Sequence, residues 1–482
     1  MSWLIGIGGR GQAVVSSYLR LCILCGIEPE RMAIIDADQE GEAIQNIVEL
    51  SARWCEHKVL QVNSYPELPD EATEDYEFSK LIEADSSQDY AKLFFREGAD
   101  SLSIPIKLGM KGNPSVGSSV FLKKILENTE KTKDENLREL FSSIPKQRVA
   151  LVGSTFGGTG SGGLPRFAKF LKEKGAGDLA AVSFLPYFRL RPEAENQYVE
   201  GTNEKIEQNP AGNVYYFKAK MTSWANRIIL FGMPDDVGRL SKDSDGIKNQ
   251  KEIFHFLHLL AALELNNYLM TGPKPDEQQE KEGKLKGKIY GYWYNAGDKK
   301  DEKNKGIGIS GLKIVKSSGQ GHAAAELKKE VAIGGDVSLL LAQFLNYLTP
   351  LPSGGFLPNW TVPRWLSVLL QQVDTDEMRA VDGLKKALRV RYNDMQDCLD
   401  WLMKVGDRTK DDGIFIVSQD KSDSNYALSG REIRRPLRVF HEWMKSREDE
   451  IITHLSANNA RWNEMGRKMM SSLREKVVER RS

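Results

Sequence analysis

Residues Gly157-Gly158-Thr159-Gly160-Ser161-Gly162 set four glycines and two hydroxyl side chains between an apolar run, Val149–Val152, and a helix-like stretch from Leu164 to Leu171. Glycine lets a backbone approach a ligand closely and adopt conformations that a Cβ forbids. The following helix offers unpaired N–H groups and the positive end of a dipole. Together these features make a cradle for phosphate. The run lacks the Gly-Lys-Ser/Thr ending of a P-loop.

A second junction of this kind lies near the start. Gly6-Ile7-Gly8-Gly9-Arg10-Gly11 fits the dinucleotide pattern GxGxxG, after a strand at Trp3–Ile7 and before a helix at Gln12–Cys25. Asp36, ending the next strand, falls where a ribose-binding acid would stand. On these residues alone, NAD-linked oxidoreduction competes with a plain tight turn that needs small residues. A dinucleotide domain needs one such loop. Here two loops stand about 150 residues apart, and two phosphate cradles facing one crevice suit a nucleoside di- or triphosphate.

A third segment completes the set. Leu108-Gly109-Met110-Lys111-Gly112-Asn113-Pro114-Ser115-Val116-Gly117 joins a glycine-rich turn to a helix start. Asn113 is a good N-cap, and Pro114 suits the first helical position. With this segment the chain resembles the tubulin/FtsZ family. Phe156–Gly162 matches that family's Gly-Gly-Gly-Thr-Gly-Ser/Thr-Gly phosphate loop at every position but the first, and Pro165 falls where FtsZ has proline. Leu108–Gly117 reproduces the family's Leu-Gly-x-x-x-Asn-Pro-x-x-Gly segment. The turn at Gly6–Gln12, the acidic turn Asp36-Ala37-Asp38, Pro186, Pro234-Asp235-Asp236 and a long helix at Asn249–Leu269 follow in family order. The match spans roughly the first 270 residues.

The resemblance implies an α/β tubulin/FtsZ-like domain that holds GTP or GDP with Mg²⁺. Gly8, Gly9, Gly11 and Gln12 would approach the α- and β-phosphates. Gly157, Gly158, Thr159, Gly160, Ser161 and Gly162 would wrap the phosphates, and Gly112 and Asn113 would sit by the γ-phosphate. Asp36 or Asp38 would lie near Mg²⁺ or its waters, the metal being held mainly through phosphates and water. Asp235 and Asn249 would read guanine; the family often has asparagine at the first position, which leaves the choice of guanine over adenine open. Arg189 and Glu193 would serve the ribose and α-phosphate, although the family's Phe-x-Phe-Glu-Gly pattern is absent. The alternative places Arg189 and Arg191 on a solvated surface.

The resemblance also implies head-to-tail self-association, with hydrolysis at the subunit junction. There FtsZ carries Asn-x-Asp-x-x-Asp after its central helix. This chain has Met270-Thr271-Gly272-Pro273-Lys274-Pro275-Asp276-Glu277 instead. Asp276 and Glu277 are the candidate catalytic acids by position; a solvated charged linker is the alternative. A nucleotide-bound scaffold with little or no hydrolysis therefore stands beside the GTPase reading.

Other clusters carry less chemistry. Cys22 and Cys25 lie within one helix without a second pair, so small buried residues explain them better than zinc. His255 and His258 have no third ligand in sequence and read as core histidines.

The elements that must position these residues alternate between strand and helix. Strands are expected at Trp3–Ile7, Met32–Ile35, Arg148–Val152, Ala180–Leu185, Arg227–Phe231 and Lys288–Tyr294, implying a mostly parallel sheet covered on both faces. Residues 62–90 read as a loop-rich insertion. Ile253–Leu263 holds no charge, as a buried helix would. Residues 1–245 are expected to form the nucleotide domain, 246–270 a central helix, and 271–375 a divergent second domain with a charged linker. Residues 376–482 are read as a helical region, packed onto the chain or contacting another protein.

Composition sets outer bounds. Lys and Arg number 67 against 67 Asp and Glu in 482 residues, which gives no support for nucleic acid as the main partner. Four scattered cysteines suit a reducing cytoplasm rather than a disulfide framework. No apolar run approaches the roughly 20 residues that span a bilayer.

Overall fold

The computed structural model describes residues 2–25, 28–39, 41–73, 75–83, 102–110, 112–127, 134–190, 202–232, 255–273 and 287–296. Shorter pieces lie at 240–242, 280–281, 284–285, 307–310, 331–333, 386, 389–398, 400–401, 414–417, 426–429 and 449.

The elements run β1 (Ser2–Ile7), α1 (Gly8–Cys25), β2 (Arg31–Asp36), α2 (Glu42–Trp54), β3 (Leu60–Asn63), α3 (Phe78–Glu83), α4 (Pro114–Glu127), α5 (Glu135–Ser143), β4 (Arg148–Ser154) and α6 (Gly158–Glu173). They continue with β5 (Leu179–Phe184), α7 (Thr202–Ala219), β6 (Arg227–Gly232), α8 (Phe256–Thr271) and β7 (Lys288–Ala296). The seven strands form one parallel sheet in the order β7-β6-β5-β4-β1-β2-β3. The fold is α/β.

Apolar strand sequences explain this architecture. β1, β4, β5 and β6 are buried along almost their whole length, as strands covered on both faces must be. Helices α4, α5 and α6 bring Phe121, Ile125, Leu137, Leu140, Leu164, Phe167 and Leu171 onto one side, against Trp3, Ile5, Val149 and Leu151. On the other side α1 packs with α2 and α8. α8 buries Leu257, Leu260, Ala261, Leu265 and Leu269, and its one buried acid, Glu264, meets Arg227 of β6 at 2.7 Å. Burying that pair is tolerable because each charge finds the other.

Strand order reverses between β1 and β4. In an open α/β sheet, such a reversal leaves a crevice outside the carboxyl ends of the strands. β1 and β4 are the strands followed by the two glycine runs, so neighbouring strands carry loops that are distant in sequence.

Several boundaries differ from the sequence reading. α1 starts at Gly8 rather than Gln12, and α6 at Gly158 rather than Leu164. Both glycine runs therefore form first helical turns; tertiary packing overrides glycine's poor helix propensity. The stretch read as an insertion from residue 62 contains the end of β3, which pairs with β2, and all of α3. α2, α5 and α7 stand where no element was expected; Asp134 caps α5 by accepting from the Leu137 N–H at 3.0 Å.

The region expected to be helical from residue 376 is only partly so. Helix spans 389–398, but Ile414–Val417 and Tyr426–Ser429 form an antiparallel pair. That pair joins Ile307–Ser310, which lies antiparallel to β7. The run Ile414-Phe415-Ile416-Val417 is β-branched and aromatic, which favours a pleated strand.

Candidate functional site

Three helix N-termini meet at the crevice. α1 begins directly after β1, and Gly8 takes a φ of 71°, a left-handed conformation that suits glycine. A Cβ on Gly8 would lie 3.0 Å from the Gly160 backbone N and 3.4 Å from the Thr159 Cβ, so the starts of α1 and α6 abut. α4 approaches α6 from the other side. A Cβ on Gly117 would strike the Gly158 carbonyl, and one on Gly158 would strike Met110. Asn113 caps α4 as expected, its Oδ1 accepting from the Val116 N–H at 3.2 Å.

The glycines of these loops divide by what they face. Gly11 lies against Gly6, where a Cβ would come within 2.6 Å of the Gly6 carbonyl carbon. Gly162 lies against α4, where a Cβ would sit 2.5 Å from the Pro114 carbonyl oxygen. Gly163 packs under the Phe121 ring, and Arg166 continues the contact by donating from Nε to Ser118 Oγ at 2.7 Å. Gly157, in contrast, is only half-buried, with Ser154 Oγ at 3.1 Å from its Cβ position. Gly109 and Gly112, at φ 94° and 68°, have no atom within 4 Å of theirs. The open glycines are thus at the rim, and those deeper in the helices let backbones pack together.

The hydroxyls and amides are also engaged. Ser161 Oγ donates to the Gly157 carbonyl one turn back. Gly157 N–H donates to Ser154 Oγ at 3.3 Å, and Thr155 Oγ1 donates to the Phe184 carbonyl at 2.9 Å. Gln12 donates its amide to Asp36 Oδ2, while Asp36 Oδ1 accepts the Ala37 N–H at 2.7 Å. Burial pushes the Asp36 carboxyl up to about 7; Asp38 adds to the rise, and the Ala37 N–H and Arg10 oppose it. Asp38 itself holds the turn into α2 by accepting the Gly41 N–H at 2.9 Å.

Beside the glycines lies a buried polar cluster. Arg10 Nη1, in the first turn of α1, donates to Tyr187 Oη at 2.8 Å, and Tyr187 Oη is 2.6 Å from His258 Nε2. His255 caps α8 by accepting the Leu257 N–H at Nδ1, 3.1 Å away, and its ring lies 4.7 Å from that of Tyr187. Burial raises the Tyr187 phenol; Arg10 counters it. Both histidines are core side chains, and among the described residues no group of three or more His, Cys, Asp or Glu could hold a metal ion.

Four residues here escaped sequence reading: Arg10, Tyr187, Asn209 and Asn213. Asn209 Nδ2 donates to the Gly112 carbonyl at 2.7 Å, and Asn213 Nδ2 to the Thr155 carbonyl at 2.9 Å. The available signal was weak: Asn disfavours helix interiors, yet Asn209 and Asn213 are spaced one turn apart in α7. Arg189 lies in a short strand, Phe188–Leu190, paired with Leu240–Lys242. Glu193, Asp235, Asn249, Asp276 and Glu277 lie outside the described residues.

No protein-family model and no curated protein matches the chain. No helix among the described residues is long and apolar enough to cross a membrane.

Proposed function

We propose that this chain binds GTP or GDP at the crevice beside β1 and β4, as a divergent member of the tubulin/FtsZ family. The observation that carries the reading is the meeting of three helix N-termini at Gly8, Gly158 and Pro114. Each terminus directs N–H groups and a positive dipole end toward an anion, and each favourable contact contributes on the order of 1 kcal/mol. One terminus suffices for a dinucleotide's pyrophosphate. Three suit a chain of phosphates.

The residues fit a nucleotide at the rim: Gly109 and Gly112 leave open space, and Gly157 is partly exposed. When bound, Mg²⁺ would neutralise phosphate charge. Asp36 is engaged by Gln12 and the Ala37 N–H, and Asp38 by the Gly41 N–H, so either acid would act on the metal mainly through its waters. Asp235 and Asn249 are the proposed guanine readers, and Arg189 and Glu193 the proposed ribose and α-phosphate contacts. We extend the reading to head-to-tail self-association in the cytoplasm, with Asp276 and Glu277 as the acids a neighbouring subunit would present.

One observation favours a second reading. Gly6–Gly11 leads straight from β1 into α1, and Asp36 ends β2, as in an NAD-binding domain. Against it, both Asp36 oxygens already accept hydrogen bonds. Denaturing the purified protein and identifying the released nucleotide separates the two. GDP or GTP is the expected product; NAD would overturn the proposal. Sedimentation with GTP, comparing Asp276→Ala and Glu277→Ala with the parent, then separates an assembling GTPase from a non-hydrolysing scaffold.

A further inference from the structure

α7 lies behind both phosphate-facing loops and touches each with an amide. Asn209 Nδ2 is 2.7 Å from the Gly112 carbonyl and 3.4 Å from the Phe156 carbonyl. Asn213 Nδ2 is 2.9 Å from the Thr155 carbonyl and 3.3 Å from the Asn209 carbonyl. An amide nitrogen carries two hydrogens, so each can serve two acceptors. The result is a line of bonds from the end of β4 through α7 to the turn before α4. Asn213 holds the β4–α6 loop alone. Asn209 spans that loop and the turn at Gly112.

The turn needs such a tie. Gly109 and Gly112 both have positive φ and no neighbours at their Cβ positions; burial of Met110 against Gly158 holds the middle of the turn, and at Gly112 itself the tie is a hydrogen bond rather than packing. The hydrogen bond from Asn209 fixes the Gly112 carbonyl, and with it the approach of the peptide preceding the α4 cap. α1 and α6 abut at Gly8 and Gly160; on the nucleotide reading these two termini would take two phosphates, and α4, the third terminus, would meet a third.

We propose that Asn209 is a positioning residue that locks the α4 N-terminus to the α6 loop, so that the site distinguishes nucleoside triphosphate from diphosphate. The inference rests on the nucleotide reading above. Asn209 touches carbonyls and acts through the loops. Losing one neutral hydrogen bond corresponds to roughly a five- to tenfold change in an equilibrium constant.

The test is equilibrium binding of fluorescent GTP and GDP analogues with Mg²⁺ to the full chain and three variants. Asn209→Ala is expected to weaken the triphosphate roughly five- to tenfold while changing the diphosphate less than about twofold. Asn213→Ala is expected to weaken both analogues by a similar factor. Asn209→Asp keeps the shape but sets a carboxylate against two carbonyls, and is expected to lose more triphosphate affinity than Asn209→Ala. A far-ultraviolet spectrum and an unfolding midpoint matched to the parent establish that each variant is folded; if Asn209→Ala unfolds, Asn209→Ser serves in its place. Equal losses of both analogues in a folded Asn209 variant, or no loss, overturn the inference and leave the nucleotide reading intact. Failure of the parent to bind either analogue overturns both.

Discussion

The crevice has two sides built on opposite principles. On the α4–α6 side, Gly117, Gly158 and Gly162 remove side chains altogether, and backbone packs on backbone. On the α1–α8 side, Arg10, Asp36, Tyr187, His255 and His258 are all buried and held by one another or by backbone groups. The first side is governed by volume and should be indifferent to pH. The second is governed by charge and hydrogen bonding, and should answer to pH. The glycines read from sequence as a phosphate cradle are therefore divided: a few face open space, and the rest let helix ends pack against one another.

Asp36 provides the largest expected effect. Its folded pKa, about 7, lies above the unfolded value of 3.8. The folded state therefore holds the proton more tightly, and this contribution is fully present below about pH 4 and lost as pH rises through 7. At ~1.4 kcal/mol per unit, the loss has a ceiling of about 4 kcal/mol. Asp36→Asn in the nucleotide-free protein should gain on the parent progressively between pH 4 and pH 7 and keep that margin above it. Urea unfolding at pH 4.5, 6 and 8 measures this. A margin that does not change with pH would place the charge-governed behaviour elsewhere.

Gly162→Ala should cost about 3 kcal/mol, because the added methyl meets the Pro114, Gly117 and Ser118 backbone rather than a movable side chain. The cost should be the same at pH 6 and pH 8 by the same unfolding measurement. A pH-dependent cost would blur the division between the two sides.

Tyr187→Phe tests the polar side without altering charge. It removes the oxygen shared by Arg10 and His258 and should cost about 1–3 kcal/mol. A variant as stable as the parent would show that the two partners re-pair without it.

Gly112→Ala should have the smallest effect on stability. No atom crowds its Cβ position, so only the left-handed φ of 68° opposes the change, at about 1 kcal/mol. If Gly112→Ala destabilises as much as Gly162→Ala, the rim glycines are not open and the contrast between them fails.

Much of the fold was legible in sequence because parallel strands buried on both faces read as continuous apolar runs. Arg148–Val152 and Arg227–Phe231 stand within a residue or two of the observed β4 and β6 ends. The cap at Asn113-Pro114 was legible for a local reason, since both residues act on the turn they begin. α2 and α5 were missed, though their apolar stripes at Ile44, Ile47 and Leu50 and at Leu137 and Leu140 follow helical spacing. The pair at 414–417 and 426–429 was missed although Ile414–Val417 is β-branched and aromatic; what no local signal carries is its attachment to the edge strand Ile307–Ser310, over 100 residues earlier.

For the site, the division follows the range of the interactions. The chain alone determined where glycines, caps and strand ends occur, since these depend on φ/ψ limits and neighbouring residues. It could not decide which glycine faces open space and which faces a helix, because Gly162 and Gly112 are identical until α4 is placed. Nor could it join Asn209 to Gly112, 97 residues away, or Arg10 to Tyr187, 177 residues away. Those contacts exist because the strand order reverses between β1 and β4 and gathers the helix ends at one edge. Only the tertiary structure makes that arrangement, through burial of the sheet's two apolar faces.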